Sequence, residues 1–388
     1  MLRELDHQYI MPTYGRFNLV LEKGEGCYVY DEDGKSYLDM GSGIAVNSLG
    51  YRHPTLIRAL KAQIDKLVHT SNYYYTKPQI EAAKRLVTYS TLNKVFFCNS
   101  GTEANEGAIK LARKYGKQKS PSKVQVISLK GGFHGRTYGA LSATPKVQYQ
   151  QDFTPMLPAF NYAEFNCIES LKAYISKDTC AVILEVIQGE GGIILADKAY
   201  LQEVQRLCKQ YDALLIIDEV QTGIGRTGSL FAYMQFDIQP DIVTTAKGLG
   251  AGMPIGAILC TEEANVFAPG NHGTTFGGNL LATTAACVVL EELCEKGLMN
   301  QIQEVGDYLK EKLLKLKDKG SKIVEVRGMG LMIGLELNEP VRPLIEACID
   351  KGLLVIGAGE YVIRLLPPLV ISKEEIDKGI AILEEVLL

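Results

Sequence analysis

Up to Asn279 the chain alternates between short apolar runs and longer stretches in which apolar residues return every third or fourth position. Lys94-Val-Phe-Phe-Cys98, Lys123 to Leu129, Cys180 to Val186, Ala213 to Ile217, Asp241 to Thr245 and Ile255 to Cys260 are short, apolar and rich in β-branched residues, so they read as strands. Between them the spacing predicts helices over Pro54 to Leu67, over Glu103 to Tyr115, and around Leu201, Val204, Leu207, Cys208 and Tyr211. Apolar runs separated by helices imply an α/β architecture, with a mostly parallel sheet covered on both faces. Ahead of this block, residues 21–40 read as a small β-meander turning at Asp33-Gly34. After Asn279 the pattern changes. Long helices near 280–296 and 298–316 lead into strands near 323–327 and 329–337, a helix near 341–351, strands near 353–356 and 361–366, and a closing helix near 373–387. This is the signature of a smaller α+β domain.

Composition narrows the function classes. A chain of 388 residues is long for one compact unit and suggests two domains. With 46% hydrophobic and 22% charged residues it can build a large core. A net charge of -4 lacks the basic footprint of a nucleic-acid binder. Nine cysteines, odd in number, scattered and without a C-x-x-C pair, argue against a disulfide framework or zinc site and for a reducing compartment. Met1 to Ile10 has no continuous apolar core of the kind a signal peptide needs. The most apolar window, Leu280 to Leu290, is shorter than the ~20 residues of a membrane span. The expectation is a cytoplasmic protein with no membrane or nucleic-acid partner and no metal.

In open α/β sheets ligands collect beyond the carboxyl ends of the strands, so the residues just after each strand carry the most information. After Cys98, Ser100 and Glu103 have capping-box spacing, and Gly101 and Thr102 expose N–H groups at a helix start, a seat for a phosphate or an ordinary cap. After Leu129, Phe133 and His134 sit between glycines, and Arg136 is a fork suited to a carboxylate; a loop aromatic beside a surface arginine is the plainer reading. Glu190, among glycines after Val186, either faces a cleft or is a solvated turn residue. Asp218 ends a wholly apolar strand, where a carboxylate needs a partner or a turn to cap. Lys247 lies in a turn of Ala, Gly and Leu, where desolvation favours a neutral, nucleophilic amine unless the loop is solvated. Thr274 and Thr275 offer two hydroxyls in a second glycine-rich loop. Arg364 sits inside the apolar strand Val362-Ile-Arg-Leu-Leu, facing either an acid or water. Gly223-Ile-Gly-Arg-Thr-Gly228 spells a dinucleotide fingerprint, which would suit a nicotinamide-dependent oxidoreductase. It stands five residues beyond its strand with no clear acidic partner, and reads as a flexible loop.

Ser100-Gly-Thr-Glu-Ala-Asn, Phe133-His-Gly-Arg, Asp218-Glu-Val-Gln, Ala246-Lys-Gly and Thr274-Thr-Phe-Gly-Gly-Asn, in that order, resemble the class III aminotransferases over essentially the whole chain. The resemblance implies the fold type I of enzymes dependent on pyridoxal 5'-phosphate. That fold has a large domain with a mostly parallel seven-stranded sheet (residues 51–279), a smaller α+β domain (280–388) and an N-terminal segment joining it (1–50). It further implies that Lys247 holds the cofactor as a Schiff base and that Asp218 pairs with its pyridinium nitrogen. Gln221 would bond the phenolic oxygen, Val220 and Phe133 would flank the ring, and Gly101 and Thr102 would bind the phosphate, with Thr275 reaching it from the second subunit of a homodimer. Arg136, Thr274, Glu190, Arg364 and Tyr14 would meet the substrates: Arg136 a donor carboxylate, Arg364 the α-carboxylate of glutamate, with Glu190 neutralising Arg364 between turnovers. Gly43-Ile-Ala-Val-Asn and His69-Thr-Ser-Asn are similar to members that move nitrogen from N2-acetylornithine to 2-oxoglutarate; ornithine, succinylornithine and 4-aminobutyrate are the alternative donors. Val186, Leu280, Tyr51-Arg52 and Thr274 depart from the usual wording, and none removes a group assigned to catalysis.

Overall fold

The computed structural model describes residues 2–388; Met1, the first residue of the N-terminal stretch considered for a signal peptide, lies outside them. Seven strands form the central sheet, in the order Lys94–Cys98, Gly256–Cys260, Ile242–Thr245, Leu214–Asp218, Thr179–Leu184, Gln125–Leu129 and Phe160–Ala163. Only Gly256–Cys260 runs against both of its neighbours. Every residue of Thr179–Leu184, Leu214–Asp218 and Ile242–Thr245 is buried, as expected of strands with a helical layer on each side.

Strand alternation sends neighbouring residues to opposite layers. Ile183 and Ile216 join a core with Ala104, Ala108, Leu111, Ala112 and Tyr115 of the helix Gly101–Lys119. Leu184 and Ile217 point the other way, into a larger core with Val204 and Leu207 of the helix Lys198–Gln210 and Ala285 and Val289 of the helix Leu280–Cys294. That second core runs on into the C-terminal part of the chain, through Leu309, Leu335, Leu365 and Leu383.

There, Ile323–Met329, Met332–Leu337, Val362–Leu365 and Ile356–Gly357 form an antiparallel sheet. The meander predicted near the N-terminus is present as Leu21–Glu25, Tyr28–Asp31 and Ser36–Asp39. Leu353–Leu354 adds to it in parallel, pairing with Leu38 and Asp39. The closing helix Lys373–Leu387 starts at a full capping box made by Ser372 and Glu375.

The structure departs from the sequence reading in several places, among them an edge strand, a helix and a glycine-rich loop. The edge strand Phe160–Ala163 was not expected; it is four residues long and mostly half-buried, so it carries little apolar signal. The helix Lys77–Thr88 buries only Ala82 and Leu86, too few positions to mark a period. Gly223 to Gly228 is no flexible loop. Residues 223–227 are buried, and Arg226, 2% exposed, donates Nη1 to the carbonyls of Leu331 (3.0 Å) and Pro367 (2.5 Å). Its glycines serve tight turns against the C-terminal part of the chain.

The helix Gly101–Lys119 lies so close to the sheet that a Cβ on Gly116 would stand 2.1 Å from the Lys123 carbonyl oxygen and 2.7 Å from Cys180 Cβ. Backbone cannot move aside as a side-chain end can. Gly116→Ala is therefore expected to destabilise the fold by about 1–3 kcal/mol despite its better helix propensity. Urea unfolding of the two forms checks this, and an unchanged midpoint would refute the packing argument.

Candidate active site

At the carboxyl ends of these strands lies a cavity of about 440 Å³. Its wall gathers Gly101, Thr102, Phe133, Arg136, Glu190, Asp218, Val220, Gln221 and Lys247, which stand far apart in sequence. Parallel topology explains the convergence, because each strand delivers its following loop to the same edge.

Asp218 is 3% exposed. Its Oδ2 accepts from Asn105 Nδ2 and from His134 Nδ1, each at 2.7 Å, and its Oδ1 accepts from the Val220 N–H at 3.0 Å. Asn105 is itself fixed: its Nδ2 also donates to the His134 carbonyl, and its Oδ1 accepts from Thr244 Oγ1 at 2.7 Å. Burial works against a charged His134, but the hydrogen bond and charge of Asp218, with the charge of Glu185, outweigh it and hold the imidazole above its ordinary pKa. Nε2 of His134 is buried without a partner.

Glu185 is a second buried carboxylate. It accepts from the N–H groups of Phe133 (2.9 Å) and Gly189 (3.0 Å). Burial, reinforced by the nearby charge of Asp218, raises its pKa to about 7 against the opposing pull of His134 and the two N–H groups. Asn105 and Glu185 were not singled out from the sequence, and His134 was noted only as a loop residue. A polar residue on the helix face that carries Ala104, Ala108 and Ala112 was the available signal for Asn105.

Lys247 leaves the strand Ile242–Thr245 through a turn in which it adopts φ 43°, a left-handed conformation unusual for a long side chain. Burial, with the positive charge of Arg364 adding to it, lowers its pKa to about 8 against the countering carboxylates of Glu190, Asp218 and Glu185. A left-handed backbone beside a reactive group is strain of the kind folds keep at working sites.

Arg364 is 3% exposed and heavily engaged. Its Nη1 donates to Glu190 Oε1 (2.6 Å), Gln221 Oε1 (2.9 Å) and the Gly189 carbonyl (3.2 Å), and its Nη2 to the Gly357 carbonyl (3.1 Å). Burial alone would raise the Glu190 pKa, but the Arg364 charge and hydrogen bond hold the carboxyl below its ordinary range. Of the two readings of Arg364, the one facing an acid is correct.

At the helix start, Ser100 caps the Glu103 N–H as predicted (3.3 Å), while the Glu103 carboxylate reaches the Asn99 N–H (2.6 Å), one residue short of a full capping box. Thr102 Oγ1 accepts from the Arg136 N–H at 3.2 Å and lies 2.9 Å from Thr137 Oγ1. A Cβ on Gly101 would stand 2.6 Å from Val220 Cγ1, and one on Gly135 would stand 2.1 Å from Thr102 Oγ1, so both glycines allow these loops to touch.

Four expected residues lie off the wall of the cavity: Arg364, which meets it through Glu190 and Gln221, and three others. Thr274 Oγ1 accepts from Asn99 Nδ2 (3.0 Å) beside it. Thr275 lines a separate small recess with His69, Ser71 and Gln79. Tyr14 is 76% exposed, with the Arg16 guanidinium 5.8 Å from its ring centre.

The family model described as Aminotransferase class-III matches residues 9–387. The acetylornithine aminotransferase of Aquifex aeolicus (strain VF5) is 50% identical over 381 residues, covering 98% of this chain and all of its own length. The solved N-acetylornithine aminotransferase from Stenotrophomonas maltophilia K279a is similar with a TM-score of 0.86 and 36% identity, over 99% of this chain and 97% of its own. An ornithine aminotransferase from Toxoplasma gondii, whose structure reveals partial occupancy of PLP at its active site, reaches a TM-score of 0.94 at 31% identity, over 99% and 93% of the two chains.

If desolvation sets the state of Lys247, its amine becomes neutral as pH rises through about 8, not through the ordinary 10.5. Borohydride trapping of a small aldehyde on the peptide containing residue 247 should then climb steeply around pH 8. Mass spectrometry of the digest reads this, and a rise only near pH 10 contradicts the assignment.

Proposed function

The chain belongs to the class III aminotransferases, and from that premise we propose that it transfers the terminal amino group of N2-acetylornithine to 2-oxoglutarate, giving N-acetylglutamate 5-semialdehyde and glutamate, a step of arginine biosynthesis. The fold is type I and the cofactor is pyridoxal 5'-phosphate, which when bound supplies an electron sink for the carbon that exchanges nitrogen.

The residues present fit that cofactor. The buried carboxylate of Asp218, oriented by Asn105 and His134, suits a protonated ring nitrogen. The Lys247 amine, with its pKa lowered to about 8, suits covalent capture of an aldehyde. Val220 and Phe133 offer apolar faces for a flat ring, Gln221 its amide Nε2 for the phenolic oxygen, and Gly101 and Thr102 a helix start for the phosphate.

Lys247 is also the base. Nζ takes a proton from the carbon that carries the substrate nitrogen and returns one on the way to product, a transfer favoured by a pKa near the working pH. Glu190 and Arg364 adapt the site to two substrates. Glu190 Oε1 lies 2.6 Å from Arg364 Nη1; this pairing would persist while the donor is bound, and the α-carboxylate of an entering dicarboxylate would take its place.

One observation carries the choice of donor. The carboxylates on the cavity wall are Glu185, Glu190 and Asp218, and each is already engaged, with backbone N–H groups, with Arg364, and with Asn105 and His134. No free acid on that wall, among the described residues, awaits the α-ammonium of ornithine. An acylated α-nitrogen carries no charge to satisfy, and Arg136 is left to take the donor carboxylate.

We further infer a homodimer with shared sites, in the cytoplasm. Tyr73, Tyr75 and Phe276 are large, exposed and close in sequence to the recess of Thr275, which suits burial against a second copy that receives Thr275 at its phosphate. All nine cysteines are free, as in a reducing compartment. Tyr14, exposed here, would meet substrate once that second copy is in place.

A coupled assay with 2-oxoglutarate as acceptor tests the donor. N2-acetylornithine should exceed ornithine in kcat/KM by at least about ten-fold, the worth of one unmatched buried charge; equal or faster turnover of ornithine overturns the substrate. In Glu190→Gln the Arg364 guanidinium loses its counter-charge, so KM for 2-oxoglutarate should fall and KM for N2-acetylornithine rise, each on the order of ten-fold. Steady-state kinetics of both half-reactions checks this, and KM values moving together would count against the exchange.

A further inference from the structure

The two arginines of the site are held by opposite means. Arg364 is bound through its N–H edge, with four acceptors. Arg136 is bound through its face. Its guanidinium carbon lies 3.7 Å from the centre of the Tyr149 ring and 5.6 Å from that of Phe133. No acceptor within the chain, among the described residues, takes a hydrogen bond from the Arg136 guanidinium. A flat cation on a ring face gains from the ring quadrupole without using any of its five donors, because these point outward in its own plane.

Tyr149 is itself fixed. It lies in the short turn Val147–Gln150, where its N–H donates to the Lys146 carbonyl at 2.9 Å. The neighbouring Gln150 donates Nε2 to the carbonyls of Leu141 (3.0 Å) and Thr144 (2.9 Å). The Tyr149 ring also meets Phe133 edge to face, with centres 6.4 Å apart at 88°. Lys146 Nζ, 5.5 Å from the same ring centre, donates to the Glu190 carbonyl. The ring therefore joins the Arg136 side of the cavity to the loop that carries Glu190.

We infer that Tyr149 is a positioning residue for donor recognition: its ring face holds the Arg136 guanidinium flat, so that the N–H fork stands open to a donor carboxylate in the free enzyme. A long side chain left unheld would lose rotamer freedom on binding; one already stacked loses little. The inference rests on the proposed role of Arg136 as the carboxylate fork. Tyr149 itself touches no reacting atom.

The test uses the holoenzyme and two donors with the same terminal amine, N2-acetylornithine and N-acetyl-1,4-diaminobutane, which lacks the carboxylate. In Tyr149→Leu, which keeps bulk and loses the π-face, KM for N2-acetylornithine should rise about three- to five-fold, as for loss of one exposed cation–π contact. KM for the diamine should stay at the wild-type value, and Tyr149→Phe should restore the acetylornithine KM. Calorimetry with N-acetylnorvaline, which has the carboxylate but no reacting amine, should show the same loss and rescue in Kd. An unchanged KM in Tyr149→Leu, equal changes for both donors, or failure of Tyr149→Phe to rescue overturns the inference. Arg136→Leu separates the two levels. If it abolishes discrimination between the donors while Tyr149→Leu does nothing, only the role of Tyr149 falls; if it leaves discrimination intact, the carboxylate role of Arg136 falls and this inference with it.

Discussion

A carboxylate at the end of a buried apolar strand is the constraint around which this molecule is built. Burying such a charge unpaired costs several kcal/mol, so Asp218 can sit there only if donors come to it. They come from two other places: Asn105 from the first turns of one helix and His134 from a loop after another strand. Meeting the demand of one oxygen thus fixes the relative placement of three elements. Asn105 extends the chain to a fourth, through Thr244 on the strand that leads to Lys247. The group that would hold a cationic ring and the amine that would capture its aldehyde are therefore parts of one rigid network.

Charge in the cavity is arranged so that each group is balanced and still available. Lys247 loses solvation and faces Arg364, which favours the neutral amine, while three carboxylates keep the depression moderate, at about 8. Glu190 screens Arg364 without being permanently committed, since it is only partly buried, with 30% of its side chain exposed. Arg136 is held by aromatic faces and Arg364 by acceptors.

The C-terminal part of the chain supplies Arg364 to this arrangement, so its seating matters. Arg364 sits on an antiparallel strand paired with Gly334 and Ile356. The loop after Asp218 grips that region twice, through Gln221 to Arg364 and through buried Arg226 to the carbonyls of Leu331 and Pro367. A buried guanidinium whose Nη1 is shared between two backbone carbonyls is a tie with little tolerance for slippage. It also explains why a sequence that looks like a nucleotide loop is packed instead: those glycines let the chain turn tightly beneath a second sheet.

The sequence alone located strands at Cys180 to Val186, Ala213 to Ile217 and Asp241 to Thr245, found within a residue or two at Thr179–Leu184, Leu214–Asp218 and Ile242–Thr245, because short apolar runs between helical stretches have few other uses. It also determined the helix start at Ser100, where cap and glycine chemistry is local, and it marked Lys247 and Asp218 by residue types out of keeping with their surroundings. The edge strand Phe160–Ala163 and the helix Lys77–Thr88 were illegible because partial burial leaves no period to read. Matters of partnership were decided only by the tertiary structure. Whether Arg364 met an acid or water, whether residues 223–228 were loose or packed, that His134 and Asn105 served Asp218, and that Arg136 lay on Tyr149 all depended on contacts across long stretches of chain. Local pattern reports what a residue needs, a partner or a dry surface; only the folded chain, where strands distant in sequence end at one edge, settles which group meets that need.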